Sequence, residues 1–411
     1  MKVLHTLCLL LAVVPVAWGA SGGRGGELNN DPLPDAAMKQ LYNAITLADE
    51  GLGEATLQDF EELAEQYPDS YLVLYEYSLV LYRTGRYKEA VSLLERLTKC
   101  RFAEPQAFAM YGNALDMDGK SKKALKAYDE GLKRFPDSGY LYLERGIVKG
   151  KKGNLNEALA DYEKGIDAEP AFASNYFRAA QLYFDSTVPA WGLVYGETEI
   201  LLAPSKEDRH DEMAYDIMQV YADDIRFDKG DVTVKICPSH DTRVNSNTGE
   251  VFLGFPGIYE SCLRQGAISL LLDTVPYTAS IEQVARIRRV AAEVYFSKGE
   301  GLYGDSMYLL EFQKKVMEAG HWEAYNYFLL GPARPQEYEA WMESGEDGDT
   351  GYDRIKRFVD WFNTTHPFMP DTEHTVGSGS IWRCQKKLDM MKALLLMGAL
   401  ESIGEPSEDA E

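Results

Sequence analysis

The sequence predicts a mainly α-helical protein: an α-solenoid of helix–turn–helix units of 34 residues, followed by a helical domain that contains a β-hairpin. Two observations predict the solenoid. Prolines recur at multiples of 34 residues, at Pro68, Pro136, Pro170 and Pro204. Small residues recur in the same register between them, which unrelated amphipathic helices would not produce. A third observation, strand-like alternation near residues 231–255, predicts the hairpin.

The small residues of each unit predict how its two helices, A and B, meet. Gly112 and Gly146, with Ser78 in the unit before, occupy a position where helix A packs closely on helix B, and alanines face them from helix B (Ala90, Ala124 and Ala158). A glycine between the helices ends helix A, because it adopts positive φ without strain. The proline ends helix B because it lacks an amide donor. This register predicts units at 37–70, 71–104, 105–138 and 139–172, with a divergent unit at 173–206.

The same spacing resembles that of tetratricopeptide-repeat proteins over residues 37–204. In the unit 105–138 the matching residues are Phe108, Tyr111, Gly112, Leu115, Gly119, Ala124, Tyr128 and Pro136. The resemblance implies a concave groove, lined by the A helices, that binds extended peptides or partner helices. The groove residues it implies here are Leu72, Tyr75, Glu76, Leu79, Tyr82, Ala109, Asn113, Asp116, Tyr140, Leu143, Glu144, Ile147, Phe177, Arg178, Gln181 and Phe184.

Family members that bind the carboxylate tails of chaperones use Lys, Arg and Asn at these positions. Only Asn113 and Arg178 match that pattern, so the resemblance does not predict a C-terminal carboxylate as the ligand. An apolar and aromatic groove of this kind needs a cover, because a bare patch promotes aggregation. Two covers stay open. One is a protein or peptide partner with an apolar segment and basic flanks; the other is the C-terminal domain of this chain, which would occupy the groove internally.

After residue 206 the register disappears. The pattern predicts an acidic helix over 206–225, then a hairpin that pairs Val232–Ile236 with Val251–Leu253 through a long connection. Further helices are predicted at 257–273, 280–298, 306–319, 321–330, 335–343, 351–364 and 383–402. Together, residues 207–402 form a mostly helical C-terminal domain, and residues 403–411 a disordered acidic tail. The segments around His321-Trp322 and Asp360-Trp361 are similar to uncharacterised exported repeat proteins of Bacteroidota, a resemblance that implies an envelope location and no known activity.

The amino terminus predicts export. Residues 1–19 combine a short positive start, an apolar run and a small-x-small cleavage site, which is typical of a secretory signal peptide. Residues 20–36 read as a flexible leader. We therefore expect a periplasmic or cell-envelope protein, or a secreted one if the source is eukaryotic. Export permits disulfides, and Cys237 with Cys262 is a candidate pair; buried thiols are the alternative.

The composition narrows the function. The net charge is −23, which argues against nucleic acid and anionic membranes as partners. No catalytic motif and no metal or cofactor motif is recognisable, so the leading hypothesis is a non-catalytic protein–protein interaction scaffold. One alternative is an enzyme whose site in residues 207–402 gathers Cys237, His240, His321 or His366 with a carboxylate. Another is a protein that binds a small ligand or a glycan.

Overall fold

The structure is a computed structural model that describes residues 28–237, 242–244, 251–299, 307–346 and 348–365, with residues 368 and 370. The predicted signal peptide, residues 20–27 of the leader, the predicted helix 383–402 and the acidic tail lie outside the described residues. The chain divides into two compact units, residues 1–103 and 104–411.

The first unit contains two helix pairs. Its helices are α1 (Asp35–Leu47), α2 (Gly53–Gln66), α3 (Tyr71–Arg83) and α4 (Tyr87–Lys99). A π-turn, Ala48–Leu52, joins α1 to α2. Ser70 caps α3 by accepting a hydrogen bond from the Val73 amide, which satisfies one of the free donors of the first turn.

The second unit begins with three helix pairs at the predicted period. These are α5 (Pro105–Met117) with α6 (Ser121–Arg134), α7 (Gly139–Lys151) with α8 (Leu155–Ala168), and α9 (Ala173–Phe184) with α10 (Pro189–Leu202). Each pair packs tightly, and α7 packs against both α5 and α9. The A helices α5, α7 and α9 therefore form one layer, and the B helices the other. The turn glycines have positive φ as predicted, 75° at Gly119 and 79° at Gly153.

The small positions of helix A face tyrosines. A Cβ placed on Gly112 would lie 2.3 Å from the Tyr128 ring, and one on Gly146 would lie 2.5 Å from the Tyr162 ring. The sequence predicted alanines as the partners. Ala124 and Ala158 are fully buried in the same interfaces, but the tyrosine one turn later covers the glycine with its flat ring.

Helix α10 joins the repeats to the rest of the second unit. Every residue from Pro189 to Leu201 is buried, because α10 packs against α9, α11 (Glu207–Asp224) and α12 (Phe255–Ile268). One hydrophobic core runs from Leu143 to Phe368. Within the second unit the core is therefore continuous across the expected boundary near residue 204.

The strands form two short antiparallel hairpins. Strand β1 (Ile225–Asp228) pairs with β2 (Asp231–Val234), and β3 (Thr242–Val244) pairs with β4 (Val251–Leu253). The predicted pairing of 232–236 with 251–253 was wrong. The reason is the turn between β1 and β2: Lys229 and Gly230 have φ of 50° and 89°, as a tight hairpin turn requires, and this short loop closes at lower entropic cost than a long one.

The remaining helices complete the core of the second unit. They are α13 (Ile281–Val294), which continues into a π-turn at Tyr295–Gly299, then α14 (Tyr308–Glu318), α15 (Trp322–Leu330), α16 (Pro335–Met342) and α17 (Gly351–Thr365). Ser280 and Gln283 form a capping box at the start of α13. The predicted mainly α-helical fold with a hairpin is confirmed.

Candidate functional site

The predicted groove residues of the second unit lie on the A helices α5, α7 and α9. Leu143 and Phe177 are buried in the core and Arg178 is exposed, while Asn113, Asp116, Tyr140, Glu144, Ile147 and Phe184 are half-buried. The surface therefore combines apolar and aromatic contact area with a few polar groups, which is the usual composition of a recognition groove.

A hydrogen-bonded chain crosses this groove. Tyr128 donates from its hydroxyl to Asn113 Oδ1 at 2.5 Å, and Asn113 and Tyr140 hydrogen-bond to the Glu144 carboxylate. Burial raises the pKa of Glu144 despite these bonds. Asn113 is therefore engaged inside the groove, which leaves Arg178 as the one exposed side chain of the two that matched the carboxylate-binding pattern.

The groove is not filled by the described C-terminal helices. Those after residue 254 pack on α10, on α11 and on one another, and in the described part of the chain they form no substantial packing with α5 or α7. Residues 371–402, which the internal-cover hypothesis also includes, lie outside the described residues.

The sequence prediction missed that α11 continues the inner layer. Asp211, Glu212 and Tyr215 follow Phe177, Arg178 and Gln181 by 34 residues, and Gln181 donates to Glu212 Oε1 at 2.5 Å. The Arg209 guanidinium lies 4.3 Å from the Phe177 ring centroid, and its Nη1 donates to Ser174 at 3.3 Å. The 34-residue count was the available signal, but a hairpin replaces helix B after α11, so the glycine, alanine and proline positions are lost.

In the first unit the predicted residues lie on one face of α3. Leu72, Tyr75, Glu76, Leu79 and Tyr82 are all half-buried. Burial raises the pKa of Glu76 to about 7, with Arg83 opposing the shift and Asp49 adding to it. Arg83 is itself bonded to Asp49 at 2.6 Å. This face is aromatic with one carboxylate that is readily protonated.

An open cleft of about 830 Å³ lies in the second unit at the end of the inner layer. The α9–α10 loop, α11, β2 and α12 supply its lining. Its residues are Phe184, Asp185, Ser186, Thr187, Pro189, Asp216, Gln219, Val220, Asp223, Asp224, Thr233, Val234, Lys235, Cys237 and Glu260. Phe184 belongs both to the predicted groove and to this cleft, which was not predicted.

The two described residues that were considered for an enzymatic site, Cys237 and His321, lie in different places. Cys237 lines the cleft, and its amide donates to Glu260 Oε2 at 2.8 Å. His321 packs elsewhere, against the rings of Phe358 and Trp361, while His240 and His366 lie outside the described residues. Within the part of the chain that the structure describes, no group of three or more His, Cys, Asp or Glu side chains could hold a metal ion.

The candidate disulfide is absent. Cys262 is a free thiol, buried on α12, so it is not bonded to Cys237. Burial raises the pKa of the Cys262 thiol to about 12, which keeps it protonated and unreactive at neutral pH. The alternative of a buried thiol fits Cys262.

A cluster of buried polar and charged side chains supports the core of the second unit. Glu197 on α10 accepts hydrogen bonds from Arg288 Nη2 at 2.5 Å, from Gln313 Nε2 at 2.8 Å and from the Tyr325 hydroxyl. Arg288 also donates to Asn326. All five side chains are buried, so the cluster links α10, α13, α14 and α15 and offers no surface to a ligand.

Among the described residues, none of the helices has both the length and the apolar composition needed to cross a membrane.

Comparisons with known proteins agree with the repeat pattern. The family model described as "Tetratricopeptide repeat" matches residues 48–107. The chain is 36% identical over 73 residues to Hsp70-Hsp90 organizing protein 3 of Arabidopsis thaliana, a match that covers 18% of this chain and 13% of that protein. It is 29% identical over 144 residues to the TPR repeat-containing protein PA4667 of Pseudomonas aeruginosa, which covers 34% and 23%. The chain thus spans well under two thirds of the length of these relatives.

A solved tetratricopeptide repeat protein from Parabacteroides merdae is 12% identical, with a TM-score of 0.34 over 73% of this chain and 100% of that one. The family match, together with the helix pairs of residues 35–202 at the same period, shows that this part of the chain contains tetratricopeptide repeats.

Proposed function

We propose that the protein is an exported, non-catalytic scaffold that binds a segment of a protein partner in the groove of α5, α7, α9 and α11. One observation carries this proposal: the inner layer of the second unit presents half-buried apolar and aromatic side chains that the described C-terminal helices leave uncovered. An extended or helical segment can cover such a surface and place its side chains between the A helices.

The relatives support a protein partner without naming it. The name of the Arabidopsis protein refers to the organisation of two chaperones. We do not propose a C-terminal carboxylate as the ligand. Asn113, one of the two residues that matched the carboxylate-binding pattern, is already bonded to Tyr128 and Glu144 inside the groove. We therefore propose an internal apolar segment as the ligand, with no requirement for a free carboxylate.

A peptide selection tests the groove. A library of random dodecapeptides is selected against the intact protein and against a groove variant, Ile147→Gln with Arg178→Glu. The matched control, Leu155→Gln with Lys126→Glu, makes the same changes at exposed positions of the outer helices α8 and α6. We expect the intact protein and the control to select one family of peptides that the folded groove variant does not select. Selection of the same peptides by all three proteins would contradict the proposal.

Export is supported by residues 1–19 alone and has its own test. If these residues are a signal peptide, the exported protein begins at Ala20 by intact mass. A protein that keeps residues 1–19, or that stays inside the cell that makes it, would refute export and leave the groove proposal unaffected.

A further inference from the structure

The cleft at the end of the inner layer is strongly acidic. Five carboxylates line it, from Asp185, Asp216, Asp223, Asp224 and Glu260, against one ammonium group, that of Lys235. Among the described residues, no salt bridge within 4.0 Å neutralises any of these five. Glu260 Oε2 accepts hydrogen bonds from two backbone amides, those of Ile236 and Cys237.

Burial and neighbouring carboxylates both affect the ionisation of this cluster. Burial, reinforced by Glu212 and Asp185, raises the pKa of Asp216 to about 6, and burial together with Asp223 raises the pKa of Asp224. Both shifts mean that the folded protein holds these carboxylates at an electrostatic cost, which a bound cation would relieve.

Apolar side chains also line the cleft. They are Phe184, Pro189, Val220 and Val234. The described His, Cys, Asp and Glu side chains include no group arranged to hold a metal ion. A cation with a long aliphatic stem fits both properties, because lysine and arginine bury the stem along apolar surface and keep the charge at its edge.

We propose that the cleft binds lysine or arginine side chains of the partner segment that lies in the inner groove. The two surfaces are continuous: Phe184 belongs to both, and α11 carries Glu212, which is bonded to Gln181 of the groove, as well as Asp216 and Asp223, which line the cleft. Charge complementarity then sets the partner's chemistry, an apolar segment with a basic end. This inference rests on the proposed function and specifies its ligand.

The peptides selected on the intact protein test the inference. We expect lysine and arginine to be enriched at one end of their consensus, relative to the unselected library. The dissociation constant of a selected peptide should rise at least tenfold on the cleft variant, Asp216→Asn with Asp223→Asn and Asp224→Asn. The matched control, Asp137→Asn with Glu293→Gln and Glu318→Gln, removes the same charge at exposed positions outside the cleft and should change it less than twofold. A peptide whose basic residues are replaced by glutamine tests the same contacts with the cleft on the unaltered protein.

The possible outcomes distinguish a failure of this inference from a failure of the proposed function. Groove-dependent peptides without basic enrichment, or peptides weakened equally by the cleft and control variants, would overturn the inference and leave the proposed function standing. If no peptide is selected, or none depends on the groove, both are overturned.

Discussion

At the scale of single residues, the spacing of small side chains in the sequence identifies the closest helix contacts, because no other side chain fits there. Gly146 on α7 is covered by the Tyr162 ring, whereas Gly150, one turn later, has only ordinary contacts, to Ala158 Cβ at 3.7 Å and Tyr162 Oη at 3.8 Å. The register identified Gly146 as the close contact, but it did not identify the partner, because the tyrosine that covers this glycine comes from helix B.

These two glycines give the first prediction. We expect Gly146→Ala to destabilise the protein by about 1–3 kcal/mol through overpacking. Gly150→Ala should stabilise it by about 0.5–1 kcal/mol, because alanine loses less backbone entropy in a helix. The midpoint of urea unfolding measures both variants. Shifts of the same sign would contradict the packing described for α7.

The Glu197 cluster gives the second prediction. Glu197→Gln removes the only described charge paired with the buried Arg288 guanidinium, so we expect a loss of about 3–5 kcal/mol. The double variant Glu197→Gln with Arg288→Met should lose less than the sum of the two single variants, because both remove the same interaction. Additive losses, measured by urea unfolding, would show that the two side chains are not coupled.

At the scale of elements, the sequence predicted helices more reliably than strand pairing or the end of the array. The helices of residues 35–202 recur at the predicted spacing, and glycines with positive φ, such as Gly85, separate the two helices of a pair. The pairing of β1 with β2 depends on the tight turn at Lys229–Gly230, and the role of α11 depends on contacts with α9 that no composition signal shows.

The element scale also yields the third prediction. Helix α10 is buried on all sides by α9, α11 and α12, so a chain shortened to end at Pro204 exposes it. We expect that chain to bind a hydrophobic dye, to associate in size-exclusion chromatography and to lose its sharp thermal transition. A monomer with an undiminished, cooperative transition would mean that the repeats fold without α11.

At the scale of the whole molecule, three carboxylates predict how stability depends on pH. Burial raises the pKa of Glu76 and of Glu199 to about 7, and that of Asp216 to about 6. Each folded pKa exceeds the unfolded value, so the folded state binds more protons in between and stability falls as pH rises through that window. Burial lowers the pKa of His210 from its ordinary value of 6.5. Below that pH the unfolded state binds more protons at this histidine, so His210 makes stability rise with pH there.

The fourth prediction follows from these signs. Between pH 6.5 and 8 the free energy of unfolding should decrease by about 1 kcal/mol, and Glu76→Gln should remove part of that decrease. Urea unfolding at the two pH values measures it, with the exposed Asp137→Asn as the control. A free energy that rises from pH 6.5 to 8 would show that these carboxylates are not desolvated as described.

The groove of the second unit remains a prediction from the helix register, whereas the acidic cleft had no signal in the sequence. The A-helix register placed Tyr140, Glu144 and Ile147 on one surface. Four elements between residues 184 and 260 supply the lining of the cleft. Its five carboxylates come together only when these elements pack.

The most direct measurement is the affinity of one selected peptide, by fluorescence anisotropy, for the intact protein, the groove variant and the outer-helix control. We predict that Ile147→Gln with Arg178→Glu raises the dissociation constant at least tenfold, while Leu155→Gln with Lys126→Glu changes it less than twofold. Equal affinity for all three folded proteins would contradict the claim that the inner layer is the binding surface.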